Sequence, residues 1–110
     1  MTSYRPKGIS DLDILWAIRD IPKSILNSSR KGILSMFIAI IGQNERCTYS
    51  MAELEDKLGC TDRSLRENFH YLEEINFLII ERPSHYVKGA VNHYKINYEK
   101  ILEEANLYRN

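Results

Sequence analysis

The chain holds little of what staples, anchors or chemically arms a small protein. It has two cysteines, Cys47 and Cys60, in 110 residues. Two thiols close at most one bridge, so a disulfide scaffold is excluded. No C-x-x-C occurs, and Cys47, Cys60 and His70 are too widely spaced for a recognisable zinc arrangement. The expectation is therefore reduced, neutral thiols, no metal and no cofactor, in a cytoplasmic protein. Long apolar runs are missing too. The longest is Met36-Phe37-Ile38-Ala39-Ile40-Ile41, far short of the roughly 20 residues a membrane span needs. Met1 to Gly8 has no apolar centre, so no signal peptide is expected. Charge of one sign is also absent. Lys plus Arg is 15 and Asp plus Glu is 15, a net charge of zero. That excludes a strongly basic coat protein and a long acidic tail, though a balanced total can hide a local patch.

Catalytic signatures are lacking as well. There is no G-x-S-x-G, no Walker-type glycine loop and no H-E-x-x-H. The five glycines are read as helix-end and loop residues. Glu73-Glu74 and Glu103-Glu104 are adjacent on helices, so each pair diverges by about 100° and cannot flank one bond. The chain reads as a non-enzyme.

What remains is an ordinary globular composition, 44% hydrophobic and 27% charged. At 12.9 kDa it suits one domain that buries its own core. Residues 1–10 are polar with Pro and Gly and read as a flexible arm; residues 11–110 read as the domain. A first helix runs from Asp11 to Arg19, capped by Ser10 or Asp11, with Leu12, Leu15, Trp16 and Arg19 at helical spacing. Pro22 stops it. Asn27-Ser28-Ser29 offers caps for a helix from about Arg30 to Ile41. Ile33, Leu34, Phe37, Ile38 and Ile41 form its buried face, thickened by Met36 and Ile40. Gly42 ends it. Cys47-Thr48-Tyr49 suits a very short strand. Ser50-Met51-Ala52-Glu53 fits a capping box, followed by a short helix with Met51, Leu54 and Leu58 on one face. Gly59 stops that helix and Thr61 caps the next, whose seam is Leu65, Phe69, Leu72 and Ile75. Asn76 suits a left-handed helix end. Phe77 to Arg82 and Val91 to Asn97 read as the two strands of a hairpin at about 78–97. A last helix spans about 98–108.

The segment Ser50 to Phe77 reads S-x-x-E-L-x-x-x-L-G-C-T-x-R-S-L-R-x-x-F-x-Y-L-E-E-I-N-F. It resembles the core of winged helix-turn-helix proteins, most closely those of phage and plasmid replication initiators and prophage-type regulators. Trp16 stands for that family's opening helix, and Arg30 to Ile41 for its first long one. Gly59 matches the tight turn and Thr61 the usual serine cap. Leu65, Phe69 and Leu72 match the core of the recognition helix. The resemblance covers roughly residues 11–97. It implies an α+β, mostly α fold: a winged helix-turn-helix with an extra N-terminal and C-terminal helix. It implies sequence-specific binding of double-stranded DNA by a small transcriptional regulator or a replication module. Two departures stand out. Asp62 to Ile75 carries only Arg63 and Arg66 against Asp62, Glu67, Glu73 and Glu74. An initiator would also continue into a further domain after Asn110. The alternative is a protein-interaction winged helix without DNA binding; an RNA-binding one is a third.

On this fold the candidate DNA-binding residues are Arg30, Lys31, Thr61, Arg63, Ser64, Arg66, His70, Tyr86 and Lys88. Arg63, Arg66 and His70 share one helix face. Thr61 and the helix N-terminus suit a phosphate, and the two arginines suit guanine edges. The bland reading is a solvated face with Asp62–Arg66 as an i,i+4 ion pair. Arg82, His85, Lys88, His93 and Lys95 frame the hairpin with no acid between Arg82 and Lys95. They suit backbone contact, or an edge hairpin kept soluble by lysine. Arg30 and Lys31 open the long helix, where cations gain nothing from the helix dipole. Arg5 and Lys7 could graze DNA from the arm, but a disordered, non-functional tail is the reading taken. Ile101, Leu102, Ala105 and Tyr108 line the last helix. They either close the core on the long helix or pair with a second copy, and a homodimer is the reading taken. Tyr94, Tyr98 and Tyr108 would suit that interface.

Overall fold

A computed structural model describes residues 5–83 and 91–108. The order is α1 (Asp11–Asp20), α2 (Ser28–Ile41), α3 (Met51–Leu58), α4 (Asp62–Glu74), β1 (Leu78–Glu81), β2 (His93–Ile96) and α5 (Tyr98–Leu107). This is a mostly helical α+β arrangement with one antiparallel hairpin. No helix among the described residues is long and apolar enough to cross a membrane.

The helix boundaries follow from local chemistry. Ser10 and Asp13 form a reciprocal capping box at α1, and Ser50 and Glu53 form another at α3. Asn27 caps α2, so that helix begins two residues before the expected Arg30. Thr61 caps α4 by accepting from the Ser64 N–H at 3.2 Å. At the far end of α4, Asn76 takes a φ of +65°. This lets the Phe77 N–H return to the Leu72 carbonyl at 2.9 Å and turns the chain into β1.

The hairpin pairs Leu78 with Ile96 and Ile80 with Tyr94. Cys47 adds a one-residue bridge to Tyr94, which is all that forms of the short strand expected at Cys47 to Tyr49. Asn97 joins three elements. Its amide donates to the Asn76 carbonyl at 2.9 Å, its backbone N–H donates to Phe77, and its side-chain oxygen caps α5.

The core runs continuously through all five helices and the hairpin. At its centre Phe37 and Tyr94 each pack on Phe69, with the Phe69 ring 5.1 Å from both neighbours. The buried face of α4 is Leu65, Phe69 and Leu72, as the spacing predicts, while Ile75, expected in the same seam, is the half-buried C-cap.

Several expectations are corrected. The spacing of Leu12, Leu15 and Trp16 marks α1 without saying which face is buried; that stripe points to solvent, and Ile14, Ala17 and Ile18 face the core. Met36 is exposed and does not thicken the buried face of α2. Gly32 lies inside α2 and not at a helix end. The chain from Arg5 onward is not a loose arm. The Arg5 side chain is 3% exposed and paired with Asp11, and it lies 5.7 Å from the Tyr98 ring centre. It is therefore unavailable for DNA. Finally, α5 packs chiefly on α1, where the long helix is the expected partner. Ile101 and Ala105 are fully buried in the chain's own core, so the stripe expected to pair with a second copy is half consumed. Leu102 is half-buried and Tyr108 exposed, while Tyr94 and Tyr98 are buried and offer no interface.

Candidate nucleic-acid interface

The candidate face is built by α3, a three-residue turn and α4. Gly59 ends α3 with a φ of +66°, a conformation that suits glycine. Its N–H and that of Cys60 both donate to the Glu55 carbonyl. The chain then reverses into Thr61 and α4. Backbone and side-chain bonds from Ser50 hold the Glu53 carboxyl below its ordinary range. Burial pushes both free thiols, Cys47 and Cys60, up.

With its seam buried, α4 turns Arg63, Arg66 and His70 outward, at 90%, 62% and 70% side-chain exposure. Each has an acid one turn away. Arg63 Nε lies 3.1 Å from Glu67 Oε1, Arg66 Nε 2.8 Å from Asp62 Oδ2, and His70 Nε2 3.0 Å from Glu74 Oε1. The hydrogen bond to Asp62 raises the Arg66 pKa above its ordinary value. Groove-ready cations and the bland i,i+4 pairs are thus the same atoms.

The hairpin side of α4 forms a trough. Met51, Phe69, Ile80 and Tyr94 line it, together with Arg66, His70 and Arg82. Arg82 makes a two-pronged contact from the end of β1 to Glu73 of α4, at 2.8 and 3.0 Å. The Glu73 carboxyl is held below its usual range by that bond. Burial pushes the Tyr94 phenol up, so it stays neutral. Lys95 is also partnered, by Glu45 and Glu81 at 3.5 and 3.3 Å. Arg82 and Lys95 are therefore balanced by acids, Glu73 and Glu45 from outside the hairpin and Glu81 from its own first strand. His85, Tyr86, Lys88 and Gly89 lie outside the described residues.

The remaining candidates separate from this face. Arg30 stacks on the Tyr71 ring at 4.0 Å, and the Tyr71 hydroxyl donates to the Ile25 carbonyl. Tyr71 is five residues beyond Arg66, on a different flank of α4. Lys31 donates to the Arg19 carbonyl at 2.9 Å and closes the end of α1. Ser64 faces Asn68, whose amide bonds the Ser64 carbonyl and hydroxyl. The structure therefore groups Arg63, Arg66 and His70, adds Arg82 beside them, and removes Arg30 and Lys31. The floor residues Met51 and Tyr94 carry no sequence signal as site residues. Only the hairpin register brings Tyr94 under α4.

Comparison with family models, with curated proteins and with solved structures gave no match in any of the three.

Proposed function

We propose that the chain is a winged helix-turn-helix domain that binds double-stranded DNA in the cytoplasm, as a small regulator or a replication-initiator-like module. In this reading α2, α3 and α4 are the three helices, the hairpin is the wing, and α1 and α5 are additions. α4 enters the major groove, Arg63 and Arg66 reach base edges, and the wing follows the backbone. One observation carries the reading. The face of α4 opposite its core seam is wholly polar and exposed, and it bears two arginines next to a third on the hairpin. The test is a salt-titrated binding assay on specific and random duplexes. Binding should weaken linearly in log–log form as salt rises. Absence of salt-dependent binding to any duplex at about 50 mM salt overturns the reading.

A specific observation favours a second reading, a protein-interaction winged helix. The two arginines and His70 on the exposed face of α4 each carry an acid partner. An evenly mixed helix face suits a protein surface of matched charge better than a polyanion.

A further inference from the structure

Both faces of α1 are apolar. Ile14, Ala17 and Ile18 meet the core. On the other side Leu12, Leu15 and Trp16 stand in solvent at 61%, 42% and 44% exposure. Arg19 lies over Trp16, its guanidinium carbon 3.8 Å from the ring. A helix needs one apolar face to join a core. Nothing within the described chain uses the second.

Beside this face α1 and α2 leave a groove of about 210 Å³, lined by Leu15, Ile18, Arg19, Lys31, Gly32 and Ser35. Gly32 is the informative residue. Glycine is a poor choice inside a helix. It is not required here by a positive φ. A Cβ at this position would meet nothing within 4 Å among the described residues. Neither the backbone nor the chain's own packing explains it. A bare strip of helix does serve where another element approaches closely. The rim of the groove carries Lys31 and Arg19, the latter 3.4 Å from Asp20, a pair that a second carboxylate has to share.

One exposed segment of the same chain has the complementary character. At the end of α5, Leu107 and Tyr108 are exposed. Glu103, one turn before Leu107, is exposed on the same face. We propose that the α1–α2 groove receives the end of α5 from a second copy of this chain. Leu107 and Tyr108 cover Leu15, Trp16 and the backbone at Gly32, and Glu103 meets Arg19 and Lys31. Each copy carries both halves, and in the dimer we propose the contact forms twice about a two-fold axis. The charge match selects this occupant: an apolar, acidic helix end for an apolar groove with Lys31 and Arg19 on its rim. The assembly does not depend on the DNA reading.

Sedimentation equilibrium over a concentration series tests it. The intact chain should sediment at twice 12.9 kDa at micromolar concentration. Arg19→Glu and Glu103→Arg should each weaken the dimer by about tenfold or more, and the double variant should recover to within about threefold of the wild type. Gly32→Gln should raise thermal stability of the monomer and weaken the dimer. A purely structural role would move both in one direction. A 12.9 kDa species up to about 100 μM overturns the proposal. So does a dimer indifferent to both charge reversals, or one that the double variant does not recover.

Discussion

Asp62 and Arg66 stand one helical turn apart on α4, and Arg66 Nε contacts both carboxylate oxygens, at 2.9 and 2.8 Å. The residue best placed to read a base is therefore already engaged. A DNA-bound Arg66 has to exchange this partner for guanine O6 and N7. Asp62→Asn should free it. Affinity for a duplex should rise several-fold and the salt slope should steepen by up to one unit. Arg66→Ala should lose about ten- to a hundredfold on the preferred site and relax base preference at one position. Arg66→Lys should not restore it, because an ammonium lacks the two parallel donors. Filter binding of all three variants across salt decides. An Asp62→Asn protein no tighter than wild type would leave Arg66 as a surface ion-pair residue.

Phe69 fixes the register that exposes Arg66. It is 2% exposed and meets Phe37 and Tyr94 from two other elements. Phe69→Ala should cost about 3–5 kcal/mol in urea denaturation, since the cavity opens at the centre of the core. A loss below about 1 kcal/mol would place the ring elsewhere and rotate Arg63 and Arg66 with it.

The parts of this fold that were legible in sequence are those set by local chemistry. The Ser10 cap, the capping box Ser50/Glu53, the Thr61 cap and the left-handed Asn76 involve neighbours within a few residues. Strong single-faced periodicity did the same for Leu65, Phe69 and Leu72. The buried face of α1 was not legible, for a physical reason. Leu12, Leu15 and Trp16 make as good a helical stripe as Ile14, Ala17 and Ile18, so periodicity alone cannot choose the buried one. The choice comes from α5 and α2, which pack on α1 through tertiary contacts. The candidate site was half legible for a similar reason. Spacing grouped Arg63, Arg66 and His70 on one face. The balancing of Arg82 by Glu73 and of Lys95 by Glu45 crosses between elements, and no local pattern encodes it.

The Arg82–Glu73 contact predicts acid sensitivity. Glu73 is held below its ordinary range in the folded chain by the Arg82 hydrogen bonds. A depressed folded value means the contact stabilises above the unfolded carboxylate value, about 4.3. It is lost as pH falls through the lower folded value. The urea midpoint of the wild type should therefore drop below about pH 4, and Glu73→Gln should remove part of that slope while lowering the midpoint at neutral pH only slightly. An unchanged slope in Glu73→Gln would mean other carboxylates, such as the capped Glu53, carry the dependence.

The last prediction separates the two faces of α5. Ile101 and Ala105 are fully buried and sit where α5 packs on α1. Leu107 and Tyr108 are exposed on the same helix. Truncating a buried aliphatic side chain loses both its transfer free energy and the packing around the hole. Ile101→Ala should therefore cost about 2–5 kcal/mol. Leu107→Ala and Tyr108→Ala should each change stability by no more than about 0.5 kcal/mol in the monomer, because their side chains leave water in neither state. The measurement is urea denaturation at a concentration low enough to keep the chain monomeric, since a dimer would add its own stability. Deleting residues 98–110 should follow Ile101→Ala and lower thermal stability sharply. A deletion that leaves a folded chain of unchanged midpoint would show that α5 is dispensable to the core, and the assignment of Ile101 and Ala105 to it would then fail.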